Sequence, residues 1–318
     1  MDLAKTLAMF FVILLHCIQY SNIDSTLTWK ENWMTFFFIS FHMPLFMIIS
    51  GYFFVSSIKS SFRKLLKDKI IHLLVPVLIW GIIQNFNCDT WQQVVKQTWI
   101  FGWYIKCLFI FYIMTWLMYK ITPPNKYRTI LILAVNLLFI TMPMPKLWFV
   151  PKMYIFFSLG LLLKNKSYIL NKYLTCVVSG ITFLILLFFW KVEYAMYFYD
   201  FYIFPLHEGM LSDMYANTIR VLIGISGSLF FLTFLKSFTL GKISNTLAKI
   251  GKYTLGIYLM QELAIYKSLD IKEWLCYYLP NDMAYICYAL IIMSSLSTIV
   301  WFLSQNTYLS KLLLGLKK

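Results

Sequence analysis

The chain is poor in charge, and poorest in acid. Asp, Glu, Lys and Arg make up only 13% of it, about half the share of an ordinary soluble domain. Just 13 of its 318 residues are acidic. Histidine is scarcer still, with four. The six cysteines are scattered and form no CxxC pair, which leaves metal or redox use without a scaffold. Only Cys17 and Cys88 fall where an outer-face disulfide could form. No GxGxxG, P-loop or HExxH pattern occurs, and GISGS does not complete a GxSxG elbow. A nucleotide-driven motor is therefore unsupported. No small-residue cleavage site follows a short apolar run, so the first run reads as a retained helix.

What is present is apolar. Hydrophobic residues reach 60% and recur in long runs from end to end. A soluble protein of this size could not bury so much apolar surface, whereas lipid can cover it. Ten candidate spans follow, at about 3–20, 34–57, 70–87, 99–119, 127–142, 147–163, 173–190, 215–235, 253–268 and 284–303. The fifth, sixth and ninth are short. Ten-residue strand-like alternation is missing, which argues against a barrel.

The net charge of +15 resembles a nucleic-acid signal, but zinc-finger spacings and basic helical arms are absent. The basic residues sit instead in short loops. With the N-terminus inside, Lys59, Arg63, Lys64, Lys67 and Lys69 share a side with Lys120, Lys126 and Arg128. Lys164, Lys166, Lys172, Lys236, Lys242, Lys249 and Lys252 join them, as does the tail. That is the pattern of a cytoplasmic membrane face. The fold class predicted is all-α: a polytopic bundle of about ten transmembrane helices, both termini cytoplasmic, forming one membrane domain over 1–318. Gly51, Gly160, Gly180, Gly224 and Gly227 mark close helix contacts. The stretch 191–214, aromatic and acidic, faces outward as an interfacial or re-entrant lid. No internal repeat supports an inverted-repeat transporter.

Polar groups inside the runs carry the chemistry. His16 lies fourteen residues after Asp2, roughly 21 Å along a helix. His42 lies near the outer start of the second span. The two spans are sequential neighbours, so both imidazoles could meet at similar depth. An imidazole is suited to take a proton from a hydroxyl and later deliver it. The plain alternatives are a polar group satisfied by a neighbouring helix for His16, and packing beside the Pro44 break for His42. Asp2 and Lys5 open the first helix at the inner face, and Lys69 and His72 start the third on one helical face. These could contact an anionic ligand or simply fix topology. Lys106 reads as a snorkelling lysine, and Arg220 sits at the same level in the eighth span. Glu262 is an acid inside the ninth, open to pairing with Lys106, Arg220 or another base. Gln261 beside it could hydrogen-bond across helices.

Taken in order, these segments resemble the integral membrane acyltransferase 3 family, which includes glycan O-acetyltransferases. DLAKTLAMFFVILLH resembles the family's first-helix pattern of an acid, a basic residue, ten residues and a histidine; here the pair is Lys5 and His16. SFHMPLFMIISGYFF resembles its second-helix signature, and KDKIIHLLVPVLIW its basic stretch running into a proline and tryptophan. WYIKCLFIFY, LWFVPKMYIFFSLGLLLKNK, IGKYTLGIYLMQ and the tail TYLSKLLLGLKK are similar to later segments. His72 departs from the usual basic residue, and Gln261 stands where a histidine is frequent. No hydrolase-like domain follows, as in the stand-alone version. The resemblance implies acetyl transfer from cytoplasmic acetyl-CoA to a hydroxyl of a cell-surface polysaccharide or its lipid-linked precursor, at a bacterial cytoplasmic membrane. It implies His16, with His42, as catalytic residues and Lys5, Lys69 and His72 as contacts to the CoA phosphates, without a metal. Lys106 or Arg220 could stabilise a developing oxyanion. Two other classes stay open: a transporter or flippase of a lipid-linked sugar, which would not require the Lys5–His16 spacing, and an inactive family member acting in assembly.

Overall fold

The computed structural model describes residues 2–21, 29–123, 126–141, 150–166, 171–195, 208–237 and 241–316. Among these every regular element is helical. In chain order the α-helices are α1 (Asp2–Ser21), α2 (Trp33–Ile39), α3 (His42–Phe54), α4 (Phe62–Lys69), α5 (Val75–Asn85), α6 (Trp91–Ile100), α7 (Trp103–Ile121) and α8 (Lys126–Thr141). They continue with α9 (Tyr154–Lys166), α10 (Lys172–Leu187), α11 (Met210–Ser237), α12 (Gly241–Ile250), α13 (Thr254–Lys267), α14 (Leu269–Tyr278), α15 (Asn281–Gln305) and α16 (Thr307–Leu314). A π-helical turn, Ile70–Leu74, links α4 to α5.

Five helical stretches are long and apolar enough to cross a membrane: Asp2–Tyr20, Trp33–Ser57, Trp103–Ile121, Met210–Ser237 and Asn281–Gln305. They correspond to the first, second, fourth, eighth and tenth expected spans. Shorter helices stand at the other five positions. The fourth begins later than expected, because Gly102 takes a left-handed conformation (φ 67°) that ends α6 and starts α7 afresh. Much of the expected lid over 191–214, including His207, lies outside the described residues. All six cysteines are free thiols, so Cys17 and Cys88 are not bridged.

The helices fall into two compact units. The first comprises Met1–Ile39, Ile71–Trp99 and Thr239–Lys318. Here α1 is the central element, packed against α2, α12, α13 and α15. Its N-terminal end is clasped twice. The Thr6 hydroxyl donates to the Leu247 carbonyl at the end of α12 (2.6 Å), and Gly251 lies so close to the Asp2 carbonyl that a Cβ would overlap it. Elsewhere in the unit, Asn32 caps α2 by accepting from the Met34 N–H (2.9 Å), and its amide donates to Asp282 at the start of α15 (3.3 Å). The Trp33 indole donates to the other Asp282 oxygen (2.7 Å). Carbonyls at the end of α16, which have no partner within the helix, find partners on α5 and the π turn before it: Trp80 donates to Leu313 O (3.0 Å), and His72 Nδ1 lies 3.0 Å from O of the capping Gly315.

The second unit comprises Ser40–Ile70 and Ile100–Phe238. Its closest contact joins α3 to α9. Gly51 abuts the Phe157 carbonyl and Gly160 abuts the Ile48 carbonyl, each too close for a side chain. Around this crossing Phe54, Phe111, Tyr112, Tyr154 and Phe157 form an aromatic core. α10 and α11 run side by side, Gly180 against Phe230 and Gly227 against Phe183. All five glycines marked in the sequence therefore sit at helix contacts; the fifth, Gly224, meets Phe156 and Pro44.

Candidate active site

The first unit brings two ionisable side chains together inside an apolar surround. His16 lies in the last turns of α1, whose neighbours Leu14, Leu15, Cys17 and Ile18 are all buried. Its Nδ1 is 3.7 Å from Glu262 Oε1 on α13. That is beyond a hydrogen bond but within ion-pair range. Both side chains keep partial exposure, 23% for His16 and 35% for Glu262. The Tyr20 ring stands edge-on to the imidazole, with centroids 5.8 Å apart, and limits its rotation. A carboxylate at Nδ1 favours the tautomer with its proton there, which leaves Nε2 as the base.

The acid was visible in the sequence as the single carboxylate of the ninth span, yet not as a site residue. Within the first unit the basic group facing it is His16. The signal that could have found it is the cost of placing two ionisable groups in two apolar helices of one bundle.

Gln261, beside Glu262, is fully buried, and neither its amide oxygen nor its amide nitrogen has a hydrogen-bond partner among the described residues. The helix-to-helix hydrogen bond expected of it is not formed. An unsatisfied buried amide destabilises, so Gln261→Met is expected to raise stability by about 1–3 kcal/mol. A thermal melt of the purified protein in detergent checks this; an unchanged or lower melting temperature contradicts it.

The proposed donor contacts divide between the units. Lys5 in the first pairs with Asp2 (3.0 Å) and keeps 25% exposure. His72, also in the first, lies in the π-helical turn. Its Nδ1 must carry the proton to bond a carbonyl, so packing accounts for one of its nitrogens. Lys69 in the second unit holds its ammonium 3.9 Å from the centroid of the Tyr112 ring, a cation–π contact.

His42 opens α3 in the second unit and is buried, 5% exposed. Lys106, expected to snorkel, is buried instead. The turn bearing it is pinned where the Val150 N–H donates to Cys107 Sγ (3.1 Å). Arg220 is buried and donates to Asn217 Oδ1, one turn away. Lys152 is also buried; it falls inside the expected sixth span and was not singled out as a site residue. Among the described residues no three His, Cys, Asp or Glu side chains gather as a metal site.

A model of the acyltransferase domain family (Acyl_transf_3) matches residues 1–304. The chain belongs to this acyltransferase family. Two curated relatives share a shorter stretch. The nodulation protein NolL of Sinorhizobium fredii is 36% identical over 83 residues, 25% of this chain and 22% of the relative. The nodulation protein NolL of Mesorhizobium japonicum is 37% identical over 83 residues, 25% of this chain and 21% of the relative. The match thus spans about a fifth of the length of these relatives. No solved structure matches the chain.

Proposed function

We propose that the protein is a multi-pass O-acetyltransferase of the bacterial cytoplasmic membrane. It crosses the bilayer ten times with both termini in the cytoplasm. It takes acetyl from cytoplasmic acetyl-CoA to a hydroxyl of a cell-surface polysaccharide or its lipid-linked precursor. The observation that carries this reading is the Glu262 carboxylate 3.7 Å from His16 Nδ1, in a chain of an acyltransferase family.

In the proposed step His16 Nε2 takes the proton of the acceptor hydroxyl as its oxygen attacks the thioester carbonyl carbon. The C–S bond then breaks, and the CoA thiolate leaves and takes up a proton. The products are the O-acetyl ester and free CoA. Glu262 orients the imidazole and lowers the energy of the imidazolium formed on the way. His42 is the second proposed catalytic histidine. Lys5, Lys69 and His72 are the proposed contacts to the CoA phosphates.

Surface glycans from cells with the gene, without it, and with His16→Ala at matched membrane abundance test this reading by mass spectrometry. A base-labile acetyl increment only with the unmutated protein is the expected result. Absence of any acyl mark, with build-up of a lipid-linked sugar, would instead identify a transporter. Lys69→Gln is expected to raise KM for acetyl-CoA several-fold with kcat little changed, since phosphate contacts bind ground and transition states alike. Steady-state kinetics in membranes reads this, and a fall confined to kcat contradicts it.

A further inference from the structure

One end of the second unit carries a concentration of cations that the acyl-transfer chemistry does not use. The segments 40–70 and 100–190 contain a single acid, Asp68, against many lysines and arginines. Lys59, Arg63, Lys64, Lys67, Lys120 and Lys126 are all exposed. Such a field draws anions and repels a second basic surface.

These residues share one structure. The Trp116 indole, in the last turns of α7, donates to the Ser60 carbonyl just before α4 (3.0 Å), and the Phe62 ring lies 5.1 Å from it. Lys120 reaches back over the same indole (5.5 Å). Arg128 of α8 donates to the Tyr119 and Thr122 carbonyls (3.2 and 2.8 Å), capping the end of α7 and fixing the start of α8 beside it. α4 and the adjoining ends of α7 and α8 thus form a single basic rim.

Below the rim the surface changes character. Leu117 on α7, one turn before Lys120, and Ile130, Leu133 and Leu137 on α8 are exposed apolar residues within one to three turns of the lysines. Phe62 and Tyr127, next in sequence to the rim cations Arg63 and Lys126, are exposed aromatic rings. Ammonium groups and exposed rings beside aliphatic surface match a phospholipid's anionic headgroup and its acyl chains. A soluble anion would match the cations but leave the apolar zone without a counterpart.

We infer that the rim formed by α4, the end of α7 and the start of α8 binds the headgroup of an anionic phospholipid, with its chains along α7 and α8. The site rests on the membrane-spanning reading but not on the acetyl-transfer reading, because its test measures lipid binding.

Native mass spectrometry of the full chain in mild detergent, titrated with phosphatidylglycerol or phosphatidylcholine, provides that test. Phosphatidylglycerol is expected to bind at least about tenfold more tightly. The exposed triple variant Lys64→Gln/Lys67→Gln/Lys120→Gln should lose about fivefold in affinity for each charge removed. Lys96→Gln/Lys267→Gln, in the other unit, should leave binding unchanged. A melting temperature equal to wild type shows that the triple variant is folded. Equal affinity for the two lipids, full retention by the triple variant, or an equal loss in the control pair would each overturn the site.

Discussion

Replacing His16 by alanine is expected to lower acyl transfer by about 10²–10⁴-fold while leaving the protein folded. A positioned general base contributes about that much. The test is acetyl incorporation into glycan per unit of membrane-inserted protein, with a size-exclusion profile to report folding. Glu262 acts through His16, and its signature differs. Glu262→Gln keeps the shape but removes the charge facing Nδ1, so kcat should fall while KM for acetyl-CoA holds. Glu262→Asp keeps the charge on a shorter arm and should recover part of the loss. If Glu262→Gln matched wild type in kcat, the carboxylate would be a packing neighbour and the dyad would be lost. If His16→Ala kept full transfer, the base would have to be sought elsewhere, His42 first.

Some of this was legible from residues alone, for physical reasons. The first and last long helices were expected at 3–20 and 284–303, and they run Asp2–Ser21 and Asn281–Gln305. Unbroken apolar runs with polar ends leave little choice of boundary. Helices that lie outside such runs were not seen. α12 is amphipathic and reads as a basic loop; α14 carries Asp270 and Glu273; α16 was noticed only as a matching tail. The Gly102 break between α6 and α7 also escaped, because a lone glycine inside an apolar run does not announce a left-handed residue.

The candidate site shows the same division. His16 and Glu262 were each conspicuous, since ionisable groups are costly in apolar helices. Their pairing was not, because it depends on how α1 and α13 rotate against each other, which apolar surroundings leave nearly degenerate. Lys106 misled for a related reason. Its long stem permits snorkelling, and only the packing of its turn against Val150 shows that it stays inside. His72 carried two meanings, and the tie to Gly315 depends on where α16 ends, far along the chain.

The second large effect concerns the crossing of α3 and α9. Substituting Gly51 or Gly160 by leucine is expected to abolish accumulation of folded protein, and even alanine should be severe. At both positions a Cβ would overlap a backbone carbonyl, Phe157 O for Gly51 and Ile48 O for Gly160. Backbone within a helix cannot turn aside as a side chain can, so the helices would have to separate and forfeit the aromatic packing of Phe54, Tyr112 and Phe157 around them. Overpacking ordinarily costs about 1–3 kcal/mol, and a backbone obstacle places these sites at or above the top of that range. Gly180 supplies the contrast. Its obstacle is the edge of the Phe230 ring, 2.9 Å from the added Cβ, and a ring can swing away, so Gly180→Ala should be mild. The two crossing glycines are also coupled: once one substitution has parted the helices, the other costs less than it does alone. Thermal melts of Gly51→Ala, Gly160→Ala, Gly180→Ala and the Gly51→Ala/Gly160→Ala double variant decide it. Equal losses at Gly51 and Gly180, or strict additivity in the double variant, would mean that α3 and α9 are not in backbone contact.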